Sequence, residues 1–270
     1  MSLKFEEARF VIAFANNIRP EKSGTFTSRV QSWQKLDFPE GTRSGRGVKA
    51  EYGAKQIFQL AIMMKLQRLG LTPDRAIKVV KQGWPAFRDG IIETMLCHYN
   101  GETHLHYFVV QLDALSDLSD PNADHMHVFV DTITEGMMLE AWQEPDDDWS
   151  DEDKATWRDD AFYIKNRLAC AITIEIDSML MLIWAALTVR KFSPDLFADE
   201  FAEWEASARK GRAAQQDEAQ FHPSKYDRQS VAGHNNMRDE ALRDVNHIDY
   251  ARAALSKLPP SSLQEHPTHP

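Results

Sequence analysis

The stretch that decides the reading runs from Thr27 to Val80: TSRVQSWQKLDFPEGTRSGRGVKAEYGAKQIFQLAIMMKLQRLGLTPDRAIKVV. Thr27 or Ser28 can cap a short helix on which Val30, Trp33 and Leu36 recur at i, i+3, i+6, a stripe expected to face a core. Phe38-Pro39-Glu40-Gly41 ends that helix. A loop from Thr42 to Tyr52 follows, with Arg43, Arg46 and Lys49 set among glycines. The next helix is predicted from Gly53 to about Leu69, carrying Ile57, Leu60, Ala61 and Met64 on one side, with Gly70 as its C-cap. Thr72-Pro73-Asp74 starts another, with the cap residue before a first-position proline. Phe58, Met63, Met64 and Trp33 are most simply core residues.

A short helix, a tight turn, a basic loop and a further helix make the grammar of a winged helix-turn-helix. A single α-helix fits the ~12 Å major groove, where its polar face reaches base edges. With Val30, Trp33 and Leu36 inward, Arg29, Gln31, Ser32 and Lys35 point outward. Gln31 is suited to bidentate contact with adenine, Arg29 to guanine and Lys35 to a phosphate. Arg43, Arg46 and Lys49 beside glycines can follow a sugar–phosphate backbone closely, giving affinity and salt dependence but little sequence choice.

These residues resemble the MerR-type DNA-binding domain. The resemblance is carried by Val30-Gln31-Ser32-Trp33-Gln34-Lys35, by the basic run Arg43 to Lys49 with Tyr52, and by Leu69-Gly70-Leu71-Thr72-Pro73-Asp74-Arg75-Ala76-Ile77. By position, Trp33 matches the aromatic of the family's recognition-helix motif, Gly47, Lys49 and Tyr52 match its wing, and Ile77 sits in the helix that follows. The resemblance covers roughly residues 5–85 and implies a winged fold that binds double-stranded DNA, with Tyr52 among the contacting residues. Where that family continues into a long dimerisation helix, Gly83-Trp84-Pro85 is expected to break this chain ahead of strands.

Charge separates the same segment from the rest. The 270 residues carry a formal net charge of −10, which alone argues against a polyanion partner. Residues 1–90 nonetheless hold +8 and residues 91–270 hold −18. Such asymmetry marks a polyanion-binding part joined to something else.

Upstream, Lys4 to Ile18 reads as a largely buried helix. Downstream, HLHYFVVQLDAL and HMHVFVDTI are β-branched and aromatic runs either side of a turn over Ser116–Asp124, and read as a strand pair. Glu144–Asp153 reads as an exposed acidic loop, and Ala171–Asp177 alternates like a third strand. Ser178–Lys191 reads as an apolar helix, and Ser193-Pro194-Asp195 as the start of a helix to about Arg209. Beyond Gly211 the aliphatic and aromatic residues thin out, and a mostly disordered tail is expected, with one helix around Met237–Leu258.

His104 and His106, and His125 and His127, each place two imidazoles on one face of a strand. In a favourable register the four would converge near Asp113 or Asp131 as zinc, iron or nickel ligands. The simpler reading leaves them as exposed polar residues at strand starts, with no metal and no cofactor. Cys97 and Cys170 lack any CxxC partner. No GxSxG, Walker glycine loop, GxGxxG or HExxH is present, so nothing points to an enzyme. The N-terminus lacks a signal-peptide pattern, and the most apolar stretch, Ala169–Val189, is interrupted by Glu175 and Asp177.

The expected fold class is therefore α+β, mainly helical, in three parts. Residues 1–90 form a winged helix-turn-helix. Residues 91–210 form an α+β unit for dimerisation, effector sensing or protein contact, and 211–270 form the tail. The expected function is a sequence-specific transcriptional regulator, cytoplasmic and nucleoid-associated, binding double-stranded DNA as a homodimer and no membrane. The Met179, Leu182, Ile183 and Ala186 face of the apolar helix is a candidate dimer surface, unless it packs on its own sheet. The alternatives are a metal- or small-molecule-binding α+β protein with an accessory helical domain, and a phage-type excision or architectural factor.

Overall fold

The computed structural model describes residues 2–42, 50–99, 101, 105–112, 128–143, 149–169 and 171–208. In these, a two-residue strand β1 (Leu3–Lys4) leads into α1 (Phe5–Ala15), a 3-10 turn (Pro20–Lys22) and α2 (Ser23–Lys35). Strand β2 (Glu51–Tyr52) pairs back on β1, antiparallel, with Leu3 opposite Tyr52 and Lys4 opposite Glu51. Helices α3 (Ala54–Arg68) and α4 (Pro73–Tyr99) follow, then β3 (His106–Leu112), β4 (Val128–Thr134), α5 (Glu135–Trp142), α6 (Asp151–Ala169), β5 (Ala171–Glu175) and α7 (Ile176–Val189). A 3-10 turn (Pro194–Phe197) then leads into α8, residues 198–208. The architecture is α+β and mainly helical, as expected, with a second sheet of order β4-β3-β5, antiparallel throughout.

The local signals account for most of these elements. Gly70, at φ +96°, turns the chain after α3, and Thr72 accepts the Ala76 N–H at its carbonyl, 2.9 Å away, as α4 begins. Helix α2 begins at Ser23, earlier than the Thr27 or Ser28 start expected. It buries Phe26, Val30 and Trp33. Leu36, expected in that stripe, is 47% exposed, because α2 ends at Lys35 and Asp37 takes a left-handed φ of +55° that redirects the chain.

Gly83-Trp84-Pro85 does not break the chain: α4 runs from Pro73 to Tyr99 with Pro85 inside it. An interior proline costs about 3 kcal/mol. Against it, α4 buries Val79, Val80, Phe87, Ile91, Ile92 and Met95, each contributing roughly 1.5–3 kcal/mol. The helix lies so close on the sheet that a Cβ on Gly83 would stand 2.6 Å from Val130. One on Gly90 would collide with Thr132 and stand 2.7 Å from Phe108. Phe87 meets Phe108 edge to face at 4.9 Å between centroids.

The division expected at residue 90 thus falls inside α4. One buried cluster includes Leu3, Trp33 and Phe58 together with Phe108, Ile174, Trp184 and Trp204. Helix α7, offered as a dimer surface, packs against α1 and β3, burying Met179, Ile183 and Ala186 and leaving Leu182 37% exposed. Helix α8 closes over α3 and α4 through Phe201 and Trp204, whose rings meet Phe58, and through Trp204 against Trp84 at 5.5 Å. On the outer face of the sheet, Val109 of β3 and Ile133 of β4 are buried, and α6, which begins within the expected acidic loop, packs against β3. Ser150 caps α6 by accepting the Asp153 N–H at 3.1 Å, and Asp151, Glu152 and Asp153 suit its positive end. Among the described residues no helix is long and apolar enough to cross a membrane. The expected tail and Cys170 lie outside the described residues.

Candidate functional site

The α2 face is built by exclusion. Phe26, Val30 and Trp33 point into the core at 2–3% exposure, so the helical period leaves Arg29, Gln31, Ser32 and Lys35 outward, and all four are exposed. Four polar side chains, two of them cationic, share a helix with no acidic residue in its length.

The basic loop expected next to this face, Arg43, Arg46 and Lys49 with Gly47, lies outside the described residues. Its two ends do not. Thr42, fully buried, bonds the Pro39 carbonyl through its hydroxyl at 2.7 Å. On the other side, Gln34 of α2 donates from Nε2 to the Tyr52 hydroxyl at 2.6 Å. Lys55 pairs with Glu40 at 2.8 Å and holds that carboxyl below its usual range, against a smaller opposing effect of burial. Both ends of 43–49 are therefore tied to the C-terminal half of α2 and the turn after it.

Tyr52 is a correction. Expected among the DNA-contacting residues, it is fully buried. Burial pushes its phenol up to about 12. A ring inside the core with its hydroxyl held by α2 positions the loop and does not reach a phosphate. The even alternation of β2 put Tyr52 inward, and Leu3 opposite it completes the pair.

A residue invisible to the sequence reading supports the same region from far along the chain. Glu200 of α8 accepts the main-chain N–H groups of Ala54 at 2.9 Å and Lys55 at 3.2 Å, capping α3 where β2 ends. A Cβ at Gly53 would push the Glu200 carboxylate out of this cap. Nothing local in the sequence signals a cap supplied 146 residues away.

Of the four histidines offered as metal ligands, only His106 lies among the described residues. His106 pairs with Thr134 at one end of the β3–β4 ladder, and Val128, which follows His127, pairs with Leu112 at the other. Six residues along a strand is about 20 Å. His104, His125 and His127 lie outside the described residues, as does Asp113. His106 itself is 1% exposed, and its neighbour is His98 of α4, ring centroids 6.3 Å apart. Between them lies Asp177, in the first turn of α7 and 2% exposed. Its carboxylate accepts the His106 main-chain N–H at 2.6 Å and is hydrogen-bonded to His98 Nε2. His106 Nδ1 stands 3.7 Å from the same carboxylate, beyond hydrogen-bond reach. Burial works to raise this carboxyl, but the two imidazoles and the N–H outweigh it and hold it well below the carboxylate range.

This cluster pins the ends of α4, β3 and α7 together. Among the described residues, no group of three or more His, Cys, Asp and Glu is arranged to hold a metal ion. No known protein family, curated protein or solved structure matches the chain.

Proposed function

We propose that this protein is a sequence-specific DNA-binding transcriptional regulator that presents α2 to the major groove and the 43–49 loop to the adjacent phosphate backbone. The observation that carries the reading is the α2 face. Arg29, Gln31, Ser32 and Lys35 stand exposed together on a helix anchored by Phe26, Val30 and Trp33, beside a loop that brings three more cations. Arg29 and Gln31 would read guanine and adenine edges, and Lys35, Arg43, Arg46 and Lys49 would take phosphates. A short helix reads only a few base pairs, so the reading includes a homodimer that doubles the site.

The test is anisotropy with the full chain, on duplexes first selected from a random library, across a salt series. Affinity should fall steeply with salt, and Arg43→Ala with Arg46→Ala should flatten the slope by about 2, roughly one for each phosphate no longer neutralised. Gln31→Ala should relax preference at one base position by about 1–3 kcal/mol. No duplex binding at low salt, or binding indifferent to Arg29→Ala with Lys35→Ala, would sink the reading. Bending without base preference would point instead to an architectural factor.

A further inference from the structure

The stripe of α2 that carries Arg29 does not end on a polar residue. Thr25, Arg29, Ser32 and Leu36 recur at i, i+4, i+7 and i+11, the spacing of one helical face, and all four are exposed. Leu36 is 47% exposed. A single exposed leucine is ordinary on a protein surface; the position of this one is what matters. It is the C-cap residue, seven residues beyond Arg29, on a helix with no acidic side chain in its length.

A fixed backbone presents this side chain. The Leu36 N–H donates to the Trp33 carbonyl at 2.8 Å, and the Asp37 and Phe38 N–H groups donate to the Gln34 and Trp33 carbonyls, each at 3.1 Å. Trp33 before it is buried and Phe38 after it is fully buried, so the turn is anchored on both sides. Asp37, at φ +55°, carries the chain off the helical path immediately after Leu36. The leucine is thus held at the surface by core contacts on either side, ordered before any partner arrives.

Chemistry narrows what it can touch in a major groove. Among the groups that base pairs present there, the C5-methyl of thymine is the distinctive apolar one; the others are hydrogen-bond donors and acceptors. A leucine laid on a donor or acceptor would leave that group without a partner, at a cost. Laid on a methyl, it displaces only water. Seven residues of helix rise about 10 Å, which is about three base-pair steps of ~3.4 Å. We infer that Leu36 reads the methyl group of a thymine about three base pairs from the guanine taken by Arg29. The inference rests on the DNA-binding reading of α2 and adds to it one selected base.

The experiment measures binding of the full chain to a duplex selected from a random library, with each thymine replaced in turn by deoxyuridine, which lacks only the methyl. One thymine in each half-site should prove sensitive, its replacement weakening the parent about three- to fivefold, the effect of one methyl left unburied. Leu36→Ala should melt as the parent does, bind the thymine duplex more weakly by that same factor, and lose nothing further with deoxyuridine. Leu36→Met should keep the sensitivity. Arg29→Ala should weaken both duplexes alike and leave their ratio unchanged. Deoxyuridine tolerated at every position, or a penalty that persists in Leu36→Ala, would overturn the inference while leaving DNA binding standing. No binding of any duplex would overturn DNA binding itself, and this inference with it. A dimer that dissociates on Leu36→Ala, with the methyl penalty unchanged, would assign Leu36 to a second copy instead.

Discussion

Asp177 offers the sharpest test of how the three ends are held. Asp177→Ala removes a 2%-exposed carboxylate that accepts the His106 N–H at 2.6 Å and bonds His98 Nε2. Hydrogen bonds to a charged partner contribute about 1.5–3 kcal/mol each, and removing one member of a buried pair costs about 3–5 kcal/mol. The expected loss is therefore about 3–5 kcal/mol, most of it from leaving the His106 N–H without an acceptor. In a folded region of this size, that lowers Tm by roughly 10 °C. Asp177→Asn keeps an acceptor for the N–H and should cost about half as much. The acid limb carries a second signature. Because the folded carboxyl is held below its unfolded value of about 3.9, its contribution is complete above that pH and declines as pH falls through the depressed value. The gap between parent and alanine variant should thus be flat from pH 7 to about 5 and narrow steadily below about 4. Urea unfolding followed by far-UV circular dichroism at pH 7, 5, 4 and 3 measures it. A cost under about 1 kcal/mol, or a gap that does not narrow in acid, would refute the argument that Asp177 is ionised and central to the junction.

Two further substitutions probe the packing that the helix pattern alone misjudges. Gly90→Ala should destabilise by about 1–3 kcal/mol although alanine is the better helix former by about 1 kcal/mol, because its Cβ meets Thr132 and Phe108; Gly24→Ala, with nothing within 4 Å, should be neutral or stabilising by a few tenths. Paired thermal melts decide the sign. Glu200→Ala should cost about 1–2 kcal/mol by uncapping α3 and should speed amide exchange at Ala54 and Lys55 ahead of the rest of α3. Uniform exchange along α3 would mean that the cap does not act locally.

What the sequence made legible was what is decided within a turn or two of chain. The Gly70-Leu71-Thr72-Pro73 junction, the aromatic and β-branched run of β3, the alternation of Ile172 to Ile174, and the inward Val30 and Trp33 are all written in local spacing. Pro85 misled because a proline's cost is local while the burial that overrides it comes from a sheet formed later in the chain. Tyr52 misled because a wing tyrosine and a core tyrosine share one residue type, and only Leu3 across the β1–β2 pair distinguishes them. His106, expected to be exposed at a strand start, is buried, because it sits beside His98 and Asp177, which come from helices α4 and α7. Helix α6 was missed although Ser150 and Asp153 spell an N-cap, since the acidic run outweighed it. The Glu200 cap and the Asp177 junction had no local signal at all.

The charge division acquires a different meaning in this light. Segments of +8 and −18 suggest two bodies joined by a linker. Yet α4 crosses the division unbroken, Glu200 reaches back to cap α3, and one core contains residues from both sides. The described residues on both sides of the division therefore share one framework. On the proposed reading, the exposed Arg29 and Lys35 on a fixed α2 would attract an approaching polyanion to that face, which raises productive encounters without any new interaction at the interface. A flexible linker would leave α2 free to turn relative to the rest of the core; the continuous α4 and the α8 clasp are what fix it.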